Sequence, residues 1–359
     1  MTQPTGTLDR YDLNGDGDMV REDLTDAISN IAPTETPFQQ RASRGKAYSD
    51  LHEWPVDTLA AADSSNAKID GDDFSGGTLL PGNRLSNYCQ ISWKDIVVSR
   101  RANIVRKAGR RSEIAYQIMK AGKELKRDVE AILLSNQAGR SGNATLAPLT
   151  AGLPSFIGAF DDTTNYEIDT GYVDRGALGA DGSLSGTDDQ SGYPNVAATD
   201  GTHRALTEDG LLDVIEACYV NGAEPGVIMV GPSVKQKFSK YMFSASARIA
   251  TPYQDHGAKA SNGAQVVGSV DYYVSDFGTL EVVPNRFQRV HTSDYCDVFV
   301  LDFEHLEVSY LDGYKQETIA KTGDSEKRRL LVDYCLTVKN PVSQGIFADV
   351  DDDVAMTAS

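Results

Sequence analysis

Between Ile28 and Val98 the sequence places apolar anchors far apart, on segments that offer them no local partner. The run Ile28-Ser-Asn-Ile-Ala-Pro-Thr-Glu-Thr-Pro-Phe38 is broken by Pro33 and Pro37, which drive the residues before them toward extended backbone. Leu51-His-Glu-Trp54-Pro55 follows, then a polar, Gly-rich excursion, then Leu85 to Val98. A strand rises ~3.3 Å per residue, so such a stretch extends well away from any core of its own. Isolated two-stranded ribbons are marginal in water. An arm and ribbon of this size therefore predict neighbouring chains to pack against, with Phe38, Trp54 and Leu59 as inter-subunit contacts. The chain reads as a building block.

The rest of the sequence supplies ample core. In the second strand of the ribbon, Leu85, Cys89, Ile91 and Trp93 alternate with Ser86, Gln90, Ser92 and Lys94, a period of two. A long helix is expected from Ser112, its N-cap, with Glu113 in the first turn and Ile114, Ile118, Ala121, Leu125, Val129 and Ile132 at steps of three or four. The pattern runs to about Gln137, giving ~39 Å of helix at ~1.5 Å per residue. Residues 158–204 are rich in Gly, Asp, Ser and Thr and read as a loop insertion. Thr207 caps a helix that stops at Asn221-Gly222, Val227 to Val230 is a short buried strand, and Pro232 starts another helix. Strands are expected at Tyr272–Ser275, Leu280–Val283, Val298–Leu301, Leu306–Tyr310 and Arg328–Lys339, and the acidic tail after Phe347 reads as frayed. Helices and strands mixed this way define an α+β chain.

Composition limits the function. A formal net charge of -18 argues against wrapping on nucleic acid, because phosphate binding is driven by Lys and Arg. Cys89, Cys218, Cys296 and Cys335 form no Cys-x-x-Cys pair and read as buried thiols of a reducing compartment. The start Met1-Thr-Gln-Pro-Thr-Gly carries no apolar signal-like stretch, and no run is long and apolar enough to span a membrane. Nucleophile-elbow and phosphate-loop patterns are missing, and His52, His203, His256, His291 and His305 show no metal-ligand spacing. Glu53 and Asp57 are the carboxylates a hydrolase reading would use, with no geometry to join them.

Two patterns invite a ligand. Asp12-Leu-Asn14-Gly-Asp16-Gly17-Asp18, followed by Asp23, places oxygen donors where an EF-hand-like loop holds calcium, with Asp in place of the final bidentate Glu. The same residues also read as a Gly/Asp turn capping a short helix at Glu22 to Ile31, the more ordinary alternative. If the loop binds calcium, a calcium-dependent surface or adhesion protein becomes the competing function. Arg100, Arg101, Arg106, Lys107, Arg110 and Arg111, with Lys120, Lys123, Lys126 and Arg127, form a basic cluster. The cluster reads as an electrostatic face for DNA or for acidic surfaces of neighbouring copies. Without interleaved aromatics for stacking, Arg100, Arg101, Arg110 and Arg111 are expected to dock on neighbouring copies, while Glu113, Glu124 and Asp128 offer partners within the helix.

Several runs in order carry a family resemblance. They are Arg21-Glu-Asp-Leu-Thr-Asp26, Ile31-Ala-Pro-Thr-Glu-Thr-Pro-Phe38, Leu51-His-Glu-Trp54, Asp57-Thr-Leu-Ala-Ala61, Ala108-Gly-Arg110 and Glu124-Leu-Lys-Arg-Asp-Val-Glu130. Ala205-Leu-Thr-Glu208, Val274-Ser-Asp-Phe-Gly278, Val283-Pro-Asn-Arg-Phe287 and Lys321-Thr-Gly-Asp-Ser-Glu-Lys327 complete the set. Together they resemble tailed-phage major capsid proteins of the Hong Kong 97-like fold, in the subgroup of the SU-type Escherichia phage. The resemblance implies an N-terminal arm (1–50), an extended hairpin loop (51–98), a peripheral domain with a spine helix (99–157), the insertion (158–204), an axial α/β domain (205–325), and a return strand with the tail (326–359). It further implies a shell protein without catalytic activity or required cofactor. Its partners would be copies of itself in hexamers and pentamers, together with scaffolding, portal and cement proteins. The shell would enclose double-stranded DNA without specific recognition and have no membrane partner. The chain would reside in the virion capsid, and in the host cytoplasm during assembly.

Overall fold

The computed structural model describes residues 33–57, 59, 62–67, 69–71, 82–105, 111–159, 173–186, 192–244, 270–288, 295–351 and 353–357. The calcium-like loop (Asp12, Asn14, Asp16, Asp18 and Asp23), the helix expected at Glu22 to Ile31, and Arg110 lie outside the described residues.

A short helix, α1 (Pro37–Arg41), leads into β1 (Ser43–Lys46), β2 (Leu51–Val56), β3 (Asn83–Tyr88) and β4 (Gln90–Ser99). Next come α2 (Arg100–Ile104), the long α3 (Glu113–Leu133), α4 (Leu153–Gly158) and three short strands, β5 (Val173–Asp174), β6 (Ser183–Leu184) and β7 (Pro194–Val196). The second half holds α5 (Glu208–Val220), β8 (Val227–Val230), α6 (Pro232–Ser244), β9 (Tyr272–Ser275), β10 (Gly278–Pro284) and β11 (Tyr295–Leu301). It ends with the long hairpin of β12 (Leu306–Ile319) and β13 (Ser325–Val338), followed by β14 (Gly345–Asp351).

Two main sheets organise these elements. One has the order β1-β12-β13-β4, the other β5-β14-β11-β8-β10-β9, while β2 and β3 form a separate ribbon. Helix α3 lies on the first sheet. Its N-cap Ser112 accepts from the Ala115 N–H, and Ile114, Ala121, Leu125, Val129 and Leu133 face inward, with Ile114 and Ala121 against Ile96 and Val98 of β4. The helix has 21 residues rather than continuing to Gln137. Ser135 donates its hydroxyl back to the Ile132 carbonyl at 2.7 Å, and the Gln137 carbonyl is taken by the Gly152 N–H, which turns the chain away.

The second sheet explains the apolar run of β8. That strand sits between antiparallel β11 and parallel β10, and all four of its residues are buried. Helix α5 is capped by Thr207 and ends at Asn221, after which Gly222 adopts φ +83°, as its sequence predicts. One large core joins both sheets, from Phe38, Trp54 and Leu125 through Tyr334 and Leu336 to Met229 and Phe299.

Three further sequence expectations are corrected. The tail after Phe347 is not frayed: β14 pairs with β11 and β5, with Phe347, Ala348 and Val350 buried. Its acidic Asp349 is accommodated because the carboxylate accepts the Gly176 N–H at 3.0 Å. Within 158–204, the described residues are not a mere loop, since β5 extends the second sheet and Arg204 pairs with Asp174 at 2.7 Å. Finally, the period-two strand from Leu85 to Val98 is interrupted at Cys89, whose N–H donates to the Asp50 carbonyl at 2.7 Å. Beyond that break the facing inverts: Ile96 and Val98 point inward, while Ile91, Trp93 and Val97 point out.

Candidate assembly surface

The arm is fastened from Thr36 onward. A helix start leaves N–H groups without intrahelical partners, and α1 places those of Phe38 and Gln39 against the Glu130 carboxylate of α3, at 2.8 and 3.0 Å. Asn285, just past β10, donates to the same carboxylate at 2.9 Å. Burial pushes the Glu130 carboxyl above its usual range, against the opposing pull of these donors. One acid thus ties the arm, the long helix and the second sheet together. Arg41 adds a bidentate pair to Glu281 of β10, at 2.7 and 2.8 Å.

The ribbon is fastened at its base. The Trp54 indole donates to the Val338 carbonyl at 3.0 Å, and its ring lies 6.0 Å from that of Phe156. Asn87 donates to the Leu336 carbonyl and accepts the Ala151 N–H, at 2.7 and 2.8 Å. Phe38 is fully buried and Trp54 is 8% exposed. Both were expected to contact neighbouring subunits, and both are instead covered by their own chain. Their partners Glu130 and Val338 lie so far along the sequence that no local pattern reveals them.

Other apolar side chains remain uncovered. Leu59, on the excursion between β2 and β3, is 99% exposed. On the outer face of β4, Trp93 is 53% and Val97 62% exposed, and Ile91 stands beside them. The register places Asp333, Leu331, Arg329 and Lys327 of β13 opposite Ile91, Trp93, Asp95 and Val97. Arg329 stacks on the Trp93 ring at 4.7 Å and holds Asp95 through bonds of 2.7 and 3.0 Å. Helix α3 covers the opposite face of this sheet, so the outer face is a half-apolar, charge-laced platform open to solvent. At the free edge of the second sheet, β9 exposes Tyr272 and Val274.

The basic cluster is partly neutralised within the chain. Arg100 pairs with Asp324 at the β12–β13 turn at 2.7 Å and Lys120 lies 3.8 Å from Glu124, while Asp128 is taken by Lys94 of β4 at 2.6 Å rather than by the cluster. Arg101 and Arg111 are exposed. A cleft of about 520 Å³ between β4 and the helices α2 and α3 is lined by Lys94, Glu113, Gln117, Lys120 and Glu124, among others.

Among the described residues, the carboxylates and histidine singled out in the sequence do not converge. Glu53 is exposed and faces Arg84 at 3.4 Å, and Asp57 is exposed. Burial lowers the His52 pKa, and its ring lies 5.7 Å from that of Trp54. Among the described residues no group of three or more His, Cys, Asp or Glu side chains could hold a metal, and no helix is long and apolar enough to cross a membrane.

A fastened arm, a ribbon, a long helix on a sheet and a second α/β unit define a Hong Kong 97-like shell-forming fold. Solved structures of that kind overlay nearly the whole chain. A capsid asymmetric unit of cyanophage A-1(L) matches with TM-score 0.58 at 14% identity, covering 93% of this chain and 98% of that one. A structure of Mycobacterium phage Adephagia matches with TM-score 0.54 at 10% identity, covering 96% and 98%, and the holo-SrpI encapsulin complex of Synechococcus elongatus PCC 7942 with TM-score 0.53 at 10% identity, covering 97% and 98%. The profile described as SU10 major capsid protein matches residues 3–351, so the chain belongs to that family of phage major capsid proteins. A major capsid protein of Escherichia phage Phieco32 is 26% identical over 355 residues, covering 94% of this chain and 95% of its own length.

Proposed function

We propose that this phage capsid chain builds an icosahedral shell around double-stranded DNA by repeating hexamers and pentamers of itself. The observation that carries the proposal is the contrast between an internally bolted arm and ribbon base and the uncovered Leu59, Trp93 and Val97. Exposed apolar patches rimmed by charge mark surfaces that are covered in the working state. On this reading, residues 51–98 form the extended loop that lies across a neighbouring copy, α3 is the spine of a peripheral domain, and 205–325 form the axial domain near the symmetry axes. Arg101 and Arg111 then meet acidic surfaces of adjacent subunits, which the chain's net charge of -18 supplies in quantity. The shell works without catalysis or a bound cofactor, recruits scaffolding and portal proteins, and assembles in the host cytoplasm before residing in the virion.

Expression of the full chain, followed by electron microscopy and sedimentation, tests this reading. Closed shells or capsomers are the expected product. A compact monomer at every concentration, with the 57–82 segment resistant to protease, overturns it.

A further inference from the structure

Strands β4 and β13 run antiparallel, and the end of their pairing nearest the ribbon joins Gln90 to Tyr334. Cys89 and Cys335 are the next residues beyond that last pair, where the ladder stops. Both thiols are buried, and with Ala47 they make up one small apolar cluster, against which Leu311 packs. The two thiols lie within hydrogen-bonding reach of each other, and disulfides form between cysteines whose Cα atoms are about 4.4–6.8 Å apart. The remaining cysteines, Cys218 and Cys296, lie in the core of the second sheet. The contact of Cys89 with Cys335 is therefore a paired arrangement, distinct from the scattered buried thiols that their sequence spacing implies.

We propose that Cys89 and Cys335 form a latent intrachain disulfide that closes when the chain meets a peroxide oxidant. The sulfur of one cysteine attacks hydrogen peroxide, the O–O bond breaks, and a sulfenic acid forms with loss of one water. The second thiol then attacks the sulfenic sulfur, the S–S bond forms, and a second water leaves. Two thiols and one peroxide thus give one disulfide and two waters.

The surroundings keep the pair reduced until then. Hydrogen bonding to Cys89, reinforced by burial, holds the Cys335 thiol well above its ordinary range, which suppresses the reactive thiolate. The Cys89 thiol also donates to the Ser49 carbonyl at 3.5 Å. The bond would tie the end of the ribbon to the long β12–β13 hairpin and close a loop that takes in most of the chain. Such a closure restrains the unfolded chain, so the melting temperature rises.

The test uses the full chain, as subunits or as shells, held with hydrogen peroxide just below its melting temperature so that access to the buried pair is not limiting. Alkylation after unfolding, followed by peptide mass spectrometry, counts the thiols. The expected result is a fall from four alkylatable thiols to two, a Cys89–Cys335 linked peptide two hydrogens lighter than its parts, an upward shift in melting temperature, and reversal of all three by dithiothreitol. C89S and C335S should each abolish the linked peptide. If either variant fails to fold, peptide mapping of the unaltered chain decides alone. Retention of all four thiols, or oxidation of Cys89 and Cys335 to separate acids or to other pairings, overturns the proposal.

Discussion

Trp54 and Trp93 stand on the same stretch of chain, on either side of the ribbon excursion, yet they belong to different economies of burial. Trp54 is enclosed: its indole N–H meets the Val338 carbonyl and its ring packs near Phe156. Trp93 lies on an open sheet face under one guanidinium, that of Arg329. The same division separates Phe38 from Leu59, one fully buried and one almost fully exposed. The comparison teaches that an arm-and-ribbon subunit need not leave all its apolar anchors waiting for neighbours. It secures the roots of the extensions internally, which fixes their direction, and on the proposed reading leaves exposed side chains such as Leu59 and Trp93 for other copies.

The strongest way to break this contrast is to remove an internal anchor. Trp54→Ala opens a cavity beside Phe156 and strands the Val338 carbonyl, and is expected to destabilise the isolated subunit by about 3–5 kcal/mol in chemical denaturation. A loss below about 1 kcal/mol would mean that Trp54 is not an internal root. Next in size is Glu130→Ala, which deprives the Phe38 and Gln39 N–H groups and the Asn285 amide of their acceptor. A cost of about 1–3 kcal/mol is expected, together with faster proteolysis of the arm near Pro37.

A smaller effect sharpens the comparison through pH. The Arg41 guanidinium, hydrogen-bonded to Glu281, holds that carboxyl below its usual range. A depressed folded-state value means that the pair's stabilisation is present above the unfolded value of 4.5 and is lost as pH falls through the lower folded value. The pair is about one-third exposed on each side, so its contribution is at most about 1 kcal/mol. Glu281→Gln should remove that part of the acid dependence and lower the melting temperature at pH 7 but not at pH 3. An unchanged acid profile would show that the arm is not held there.

The smallest effect on the subunit belongs to the exposed class. Leu59→Asp should change subunit stability by no more than about 0.5 kcal/mol while reducing shell yield in electron micrographs severely. Unimpaired assembly would remove Leu59 from the contact surface.

Much of this architecture was legible in the sequence, because local rules govern it. Ser112 and Thr207 announce their helices, Asn221-Gly222 ends one, and the apolar run Val227 to Val230 marks a strand covered on both faces. What was not legible depends on partners remote in sequence. Nothing near Phe38 points to Glu130, and nothing near Asp349 says that the Gly176 N–H will satisfy it inside a sheet. Period-two alternation from Leu85 to Trp93 is real as a pattern, but the break at Cys89 decides which face it serves. Trp93 was legible as an apolar strand residue, and its exposure only the sheet could show. Arg100, expected to seek a neighbour, already has Asp324 beside it.

The central claim is that covering of apolar surface is split between the chain itself and its copies. Hydroxyl-radical footprinting of Trp54, Trp93 and Leu59, in dissociated subunits and in assembled shells, tests it most directly. Trp54 should be protected in both states, whereas Trp93 and Leu59 should react freely in subunits and become protected in shells. Free reaction of Trp54 in the dissociated subunit, or undiminished reaction of Trp93 and Leu59 in the shell, would contradict the account.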